Sequence, residues 1–190
     1  DTKIMPRVEN LLSEIQSREA GSTAKKSWNP QNCGEIDIRI AADGAWFHEG
    51  RPFQRASLVK LFSTVLRKES DGEFYLLTPA EKLRIQVDDA PFVVTQMEQI
   101  FEKEQSTLLF TTNIGEQVIA DVHHPIRVEF DHATGEPRPY IHCRDNLDAL
   151  INRTVYMELV SIGELFEKDG NQHLGVSSQG VQFDLGSVEE

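Results

Sequence analysis

An order of seven elements that occurs twice constrains this chain more than any motif it carries. Ile36-Asp37-Ile38-Arg39-Ile40 alternates apolar and polar residues with the period of a half-buried strand. Asp43-Gly44 is a hairpin turn signal, and Trp46-Phe47-His48 returns before Glu49-Gly50-Arg51-Pro52 breaks the run. Leu58, Leu61, Phe62, Val65 and Leu66 then fall on one face of a helix expected over 55–69. Phe74 to Thr78 and Leu83 to Val87 read as two more strands, joined by Pro79-Ala80-Glu81-Lys82. The same order follows later. Ile126 to Phe130 alternates, Thr134-Gly135 turns, and Tyr140 to Cys143 returns. Leu147, Leu150, Ile151 and Val155 mark a helix over about 145–159, and a second, short one is expected at 161–167. His173 to Ser177 and Val181 to Leu185 close the copy. Such self-similarity fixes the expected fold: α+β, two domains related by internal duplication, each a strand hairpin, a helix and a strand hairpin.

Between the copies, Phe92 to Met97, Thr107 to Thr112 and Gln117 to Val122 read as strands. Ahead of them, Pro6 suits a first helical turn, and Val8, Leu11, Leu12 and Ile15 recur at helical spacing over 6–20. Gly21 is a stop signal, and residues 21–26 form a small polar linker. The expected domains are therefore 1–29, a helical arm and linker; 30–92, an N-terminal α+β domain; and 93–190, a β-rich C-terminal α+β domain.

The charge narrows the partners. With 31 acidic against 19 basic residues in 190, the net charge is −12. Such a surface repels phosphate backbones, which argues against bulk nucleic-acid binding but leaves room for one small anion in a basic pocket. No apolar run reaches the roughly 18 to 20 residues of a membrane span. Residues 1–30 hold no apolar signal core, so no membrane association and a cytoplasmic location are expected. Cys33 and Cys143 make neither a disulfide framework nor a CxxC pair.

Chemistry-bearing motifs are sparse. The chain has no Gly-rich phosphate loop and no GxSxG elbow. His123, His124, His132, His142 and Cys143 lie close in sequence, but adjacent strand residues diverge, so neither a metal site nor a cofactor is expected. His48-Glu49 and Asp88-Asp89 are adjacent titratable pairs, and the second reads as a strand-ending turn. Cys143, beside Arg144 and ahead of the expected helix, is either an activated thiol or a packed one.

The repeat itself supplies the most specific site. Each copy puts a His near the end of its second strand, His48 and His142, and an Arg at the opening of its helix, Arg55 and Arg144. A helix N-terminus offers free N–H groups and partial positive charge, and an Arg fork matches phosphate or carboxylate. The two arginines either line an anion-accepting cleft between the copies or pair with local acids such as Asp145. Trp46, Phe47 and Tyr140 form either a wall for a flat ring or part of the core.

At these residues the chain resembles a known family. Residues 33–40 (CGEIDIRI), 43–50 (DGAWFHEG), 55–67 (RASLVKLFSTVLR), 77–82 (LTPAEK) and 88–92 (DDAPF) look like bacterial domain-of-unknown-function family 1285, over about Trp28 to Leu185. The resemblance names no reaction. It implies a duplicated α+β arrangement with a C-terminal domain superficially like pleckstrin-homology folds, an inter-domain cleft that takes a nucleotide-based ligand, and a part in signal transduction. By its chemistry, the expected site is Arg39, His48, Arg55, Thr78, Lys82 and Arg144. The expected function is a non-catalytic sensor or adaptor for a small anionic or nucleotide-based ligand. The alternatives are a hydrolase or transferase acting on such a ligand, and a module that binds a protein partner.

Overall fold

The computed structural model describes residues 6–16 and 28–188. The linker expected at 21–26, its Gly21 stop and the last turn of the first helix lie outside the described residues. The chain divides into two compact units, Asp1–Asp88 and Asp89–Glu190.

In the first unit, α1 (Pro6–Gln16) buries Val8, Leu11 and Ile15, the stripe its spacing marks. Then come β1 (Asn32–Ile40), β2 (Trp46–His48), β3 (Arg51–Pro52), α2 (Ala56–Ser63), β4 (Leu66–Lys68), β5 (Phe74–Leu77) and β6 (Glu81–Val87). The six strands make one sheet in the order β3-β2-β1-β6-β5-β4. Neighbours are antiparallel except β1 and β6, which run parallel and join the two halves. Ile36, Ile38, Ile40, Leu83 and Ile85 are buried, while Glu35, Asp37, Arg39, Arg84 and Gln86 are the alternate, outward residues. α2 buries Leu58 and Phe62.

The second unit opens with β7 (Phe92–Glu102), β8 (Gln105–Thr112) and β9 (Gln117–Ile119). It continues with β10 (Ile126–Phe130), β11 (Pro137–Arg144), β12 (Leu147–Ile151), α3 (Arg153–Ile162), β13 (Glu164–Lys168), β14 (Asn171–Ser178) and β15 (Val181–Ser187). One sheet runs β10-β11-β12-β7-β8-β9, with β12 parallel to β7; β13, β14 and β15 form another. The last seven elements repeat the first unit's order of three strands, a helix and three strands. The partition into sheets does not repeat: β1 pairs with β6, whereas β10 and β15, in the same places, approach each other without a ladder.

Two expected helices are shorter than their periodicity suggests. The one expected over 55–69 stops at Ser63, where the hydroxyls of Ser63 and Thr64 donate to the carbonyls of Lys60 and Leu61, and Leu66–Lys68 pairs with β5 instead. The helix expected over 145–159 begins only at Arg153. Leu147, Ala149 and Ile151 are buried in strand alternation between β11 and β7, and Leu147, Leu150 and Ile151 mimicked helical spacing. Residues 164–167 of the expected short helix belong to strand β13.

Two prolines show how β11 meets β10. His142 N–H donates to the Pro125 carbonyl at 3.1 Å and Asp131 N–H to Glu136 at 2.9 Å. The hydrogen-bonded pairs therefore alternate through Arg127–Tyr140 and Glu129–Arg138. Pro137 and Pro139 fall between them, where β10 asks for no N–H.

Ser178, at the end of β14, is fully buried. Its hydroxyl donates to the Ala120 carbonyl at 2.7 Å and accepts from Leu108 N–H at 2.8 Å, tying the third sheet to β8 and the segment after β9. Ser178→Ala strands both backbone groups, at a cost of about 1 to 3 kcal/mol. The expected outcome is a matching fall in urea-unfolding stability; a loss within experimental error would show that the hydroxyl carries no such tie.

Candidate functional site

The β1–β2 register decides which expected site residues can meet. Ile38 lies opposite His48, Arg39 opposite Phe47 and Ile40 opposite Trp46. Directly opposed residues share a face, so His48 points to the side of Ile38 and the buried core, and Arg39 to the other. Arg39 Nε donates to both Asp88 oxygens at 3.0 Å, and its guanidinium lies 6.0 Å from the Phe47 ring. The Asp88 pair raises the Arg39 pKa and lowers that of Asp88. Lys82 shares the Arg39 face through Arg84 and Gln86. Its Nζ is 4.5 Å from the Tyr75 ring centre and 3.8 Å from Glu69. Tyr75 itself donates to Asp71 at 2.6 Å, a bond that pushes its phenol pKa up to about 12.

Thr78 is fully buried between β5 and β6. Its hydroxyl accepts from the N–H groups of Ala80 and Glu81 at 3.3 and 3.1 Å, which shapes the turn. Arg144 belongs to the second unit and opens no helix. It ends β11, donates from Nε to Glu116 at 3.1 Å, and lies 5.4 Å over the Phe92 ring. The residue in the place of Arg55 is Asn152, whose side chain caps α3 by accepting from Val155 N–H at 2.9 Å.

Arg55 does stand at a helix opening. It is the N-cap of α2; its own carbonyl takes the first helical bonds, from Leu58 and Val59, and no side chain caps the turn. The first turn carries no acidic residue. His48 lies nearby on the same side of the sheet, its ring 6.3 Å from that of Phe53, which also meets Trp46 at 6.2 Å and Phe62 at 5.9 Å. Arg51, opposite His48 across the Glu49-Gly50 turn, was missed from sequence. The signal was available: Glu49 and Gly50 both have positive φ, the tight two-residue turn that sets His48 beside Arg51. Neither Arg51 nor Arg55 has an ion pair among the described residues. The Trp46 indole N–H, in the same aromatic cluster, is buried without an acceptor among them. His48 and Arg51 thus face each other across the β2–β3 turn, and Arg55 follows at the opening of α2.

The remaining titratable clusters are closed on themselves. His142 meets Asp148 at 2.9 Å, and Arg127 donates to the same carboxylate at 2.7 Å. His124 meets Asp121, also at 2.9 Å. Cys143 points into the core from β11, not from a helix opening. Burial first, then Glu116 and Asp148, pushes its thiol up to about 12, so it stays protonated and unreactive at neutral pH. Tyr140, buried and donating to Asp89 at 2.6 Å, is likewise pushed up to about 12. Trp46 and Phe47 face opposite sides of one sheet and so share no wall, with Trp46 in the core; Tyr140 is buried in the second unit. Among the described residues no three His, Cys, Asp or Glu side chains converge as a metal site, and no helix is long and apolar enough to cross a membrane.

The fold is that of a two-unit α+β protein with a repeated element order and no assembled catalytic cluster among the described residues. The chain belongs to the DUF1285 family: "Domain of unknown function (DUF1285), N-terminal domain" matches residues 25–90, and "Protein of unknown function (DUF1285), C-terminal domain" matches 91–185. The crystal structure of a DUF1285 family protein from Silicibacter pomeroyi DSS-3 matches with a TM-score of 0.81 and 42% identity, over 94% of this chain and 95% of that one. One from Shewanella baltica OS155 matches with a TM-score of 0.51 and 28% identity, over 65% and 90%. No curated protein matches the chain.

Asp184 supplies a pH test of the second unit. Partial burial would raise its pKa, but Lys168, His173 and the Gly186 N–H together outweigh that and bring it down to about 2. The folded pKa lies below the ordinary 3.8, so the stabilisation is complete above the unfolded value and fades as pH falls from about 4 through about 2. Asp184→Asn should therefore cost about 1 to 2 kcal/mol at pH 7 and progressively less toward pH 2 in paired unfolding curves. A difference independent of pH would assign the cost to packing instead.

Proposed function

We propose that this protein is a non-catalytic sensor or adaptor that binds a small anionic, nucleotide-based ligand and relays its presence to a protein partner. The observation that carries this reading is the contrast between the two equivalent helices. α3 opens on Asn152, whose side chain accepts from Val155 N–H ahead of Arg153; α2 opens on Arg55 with no side-chain cap. A cation there is unfavourable to the helix unless an anion answers it. His48 and Arg51 stand beside that turn on the same face of the sheet, and a phosphate would find an Arg fork, backbone N–H donors and an imidazole together. Of the residues expected from sequence, Arg55 and His48 belong to this reading, and Arg51 joins them. Arg39, Thr78, Lys82 and Arg144 already hold partners in their own units.

The absence of turnover in the reading is supported by the closed state of the acid–base groups: the described histidine–aspartate contacts are local pairs, and the Cys143 thiol beside His142 stays protonated. The test is a thermal-shift screen with inorganic phosphate, nucleoside mono-, di- and triphosphates and cyclic dinucleotides, because a ligand of the native state raises its melting temperature. Arg55→Ala should weaken the best binder about tenfold or more, with the unliganded melting temperature within a few degrees of the parent. A panel without a single shift, or an Arg55→Ala protein that binds like the parent, would overturn the assignment. Product formation from the binder would replace the sensor by a hydrolase or transferase.

A further inference from the structure

Most sheet edges of this protein are short or met by another strand. β3 and β4, the ends of the first sheet, are two and three residues long, β9 has three, and β10 and β15 approach each other. β13 differs: it has five residues, no proline and no bulge, and among the described residues no strand pairs with its outer side. Apart from the half-buried Phe166 its residues are exposed, and Leu165 keeps 62 % of its surface in solvent. The ladder phase shows which main-chain groups are left over. Lys168 and Asn171 close a two-residue turn, Asp169-Gly170, with both turn residues at positive φ. Such a closing pair is hydrogen-bonded, so Lys168, Phe166 and Glu164 direct their N–H and C=O groups to β14. Gln172, opposite Glu167, gives its carbonyl to Val188 N–H at 2.8 Å on the far side of β14, which fixes the same phase. The peptide groups of Leu165 and Glu167 therefore point away from the sheet, and among the described residues no turn, loop or cap bond takes them up.

We propose that this edge is where two copies of the chain meet, β13 against β13 in antiparallel, about a two-fold axis at Phe166. Only this register turns both outward residues into hydrogen-bonded pairs, Leu165 of each copy opposite Glu167 of the other. Centring on Leu165 would set Glu167 opposite Gly163, whose N–H already bonds the Val160 carbonyl, and centring on Glu167 would set that carboxylate against itself. Charge favours the same register. It places Glu164 opposite Lys168 at both ends of the seam; Glu164 has no ion pair among the described residues, and the half-exposed Lys168 is shared with Asp184 on its own sheet at 2.9 Å. Phe166, at the axis, leans back over β14, where a Cβ on Gly175 would come within 2.8 Å of its ring, so the ring clears the seam. On the opposite face Leu165 covers the stem of Glu167. Glu164, Glu167 and Lys168 leave each strand at −1. That excess sits on the Glu167 side chains, diagonal to each other at roughly 7 to 8 Å, while the two opposite-charge pairs face each other directly at about 5 Å. A seam of five residues is small, so the association is weak, micromolar or weaker.

The test is sedimentation of the full chain from about 1 µM to about 1 mM in about 0.15 M salt, where charges beyond about 8 Å are screened. The parent should pass reversibly from monomer to dimer, and hydrogen exchange at the Leu165 and Glu167 amides should slow in the concentrated sample alone. Glu164→Lys and Lys168→Glu each set like charges across the seam and should each weaken dimerisation about fivefold or more. An equimolar mixture of the two variants should recover it, since each supplies the charge that the other lacks. Leu165→Pro removes an outward N–H without touching the β13–β14 bonds and should abolish dimerisation. If that variant fails to fold, the charge variants, which change only exposed side chains, decide. A parent that stays monomeric throughout, or a dimer indifferent to these substitutions, overturns the proposal. So does a mixture no tighter than its components. Amides protected at every dilution would mean that the chain covers its own edge, and protection only by an added foreign peptide would give the edge to a different partner; either result overturns it as well.

Discussion

Pairing between the first and last strands of a repeat is the contact on which each unit's architecture turns. A strand hairpin on either side of a helix leaves two half-sheets, each with a bare hydrogen-bonding edge. In the first unit β1 and β6 close that gap in parallel, from Asn32 beside Glu81 to Ile40 beside Val87. The closure carries Ile38, Ile40, Leu83 and Ile85 into one apolar layer. It also brings Arg39 to Asp88 and Glu35 to Arg84, so the outward face of the junction is neutralised as it forms. In the second unit β7 inserts beside β12 and gives that half-sheet a different neighbour. The third sheet is then tied by hydrogen bonds through Ser178 to β8, and its β15 edge approaches β10 without a ladder.

Among the described residues eight cations face a carboxylate. Arg39, Lys82, Arg84, Arg127, Arg144 and Lys168 each face a carboxylate of their own unit. Exposed pairs of this kind contribute little stability individually, but they remove free positive charge from the surface. Arg51 and Arg55 have no ion pair among the described residues, and Arg55 stands at a helix opening, where the dipole favours an anion.

The sequence made the strands that alternate cleanly legible, β1 and β10 above all, because one buried face imposes a period of two. It hid the strands whose residues serve two patterns. Leu147, Leu150 and Ile151 satisfy helical spacing as well as a short buried strand, and only β7 beside them decides the matter. That ambiguity moved Arg144 to a helix opening it does not occupy, while Arg55, before an unambiguous helix, was placed correctly. The separation of Arg39 from His48 depends on register, which a turn such as Asp43-Gly44 constrains but does not spell out. Ser178 was invisible for another reason: its partners lie at Leu108 and Ala120, far along the chain.

The prolines of β11 act on alternatives that the native fold never visits. A one-residue slip in which β11 turns over against β10 would move Ile141 from the core to the opposite face, the common penalty for any half-buried pair. Here it would also bring Pro137 and Pro139 to positions where the ladder expects a donor, and two bonds would be lost at once. The misaligned hairpin is therefore penalised twice, by its side chains and by its backbone. These residues add no bond to the correct pairing; their contribution is to raise the free energy of the neighbouring wrong one.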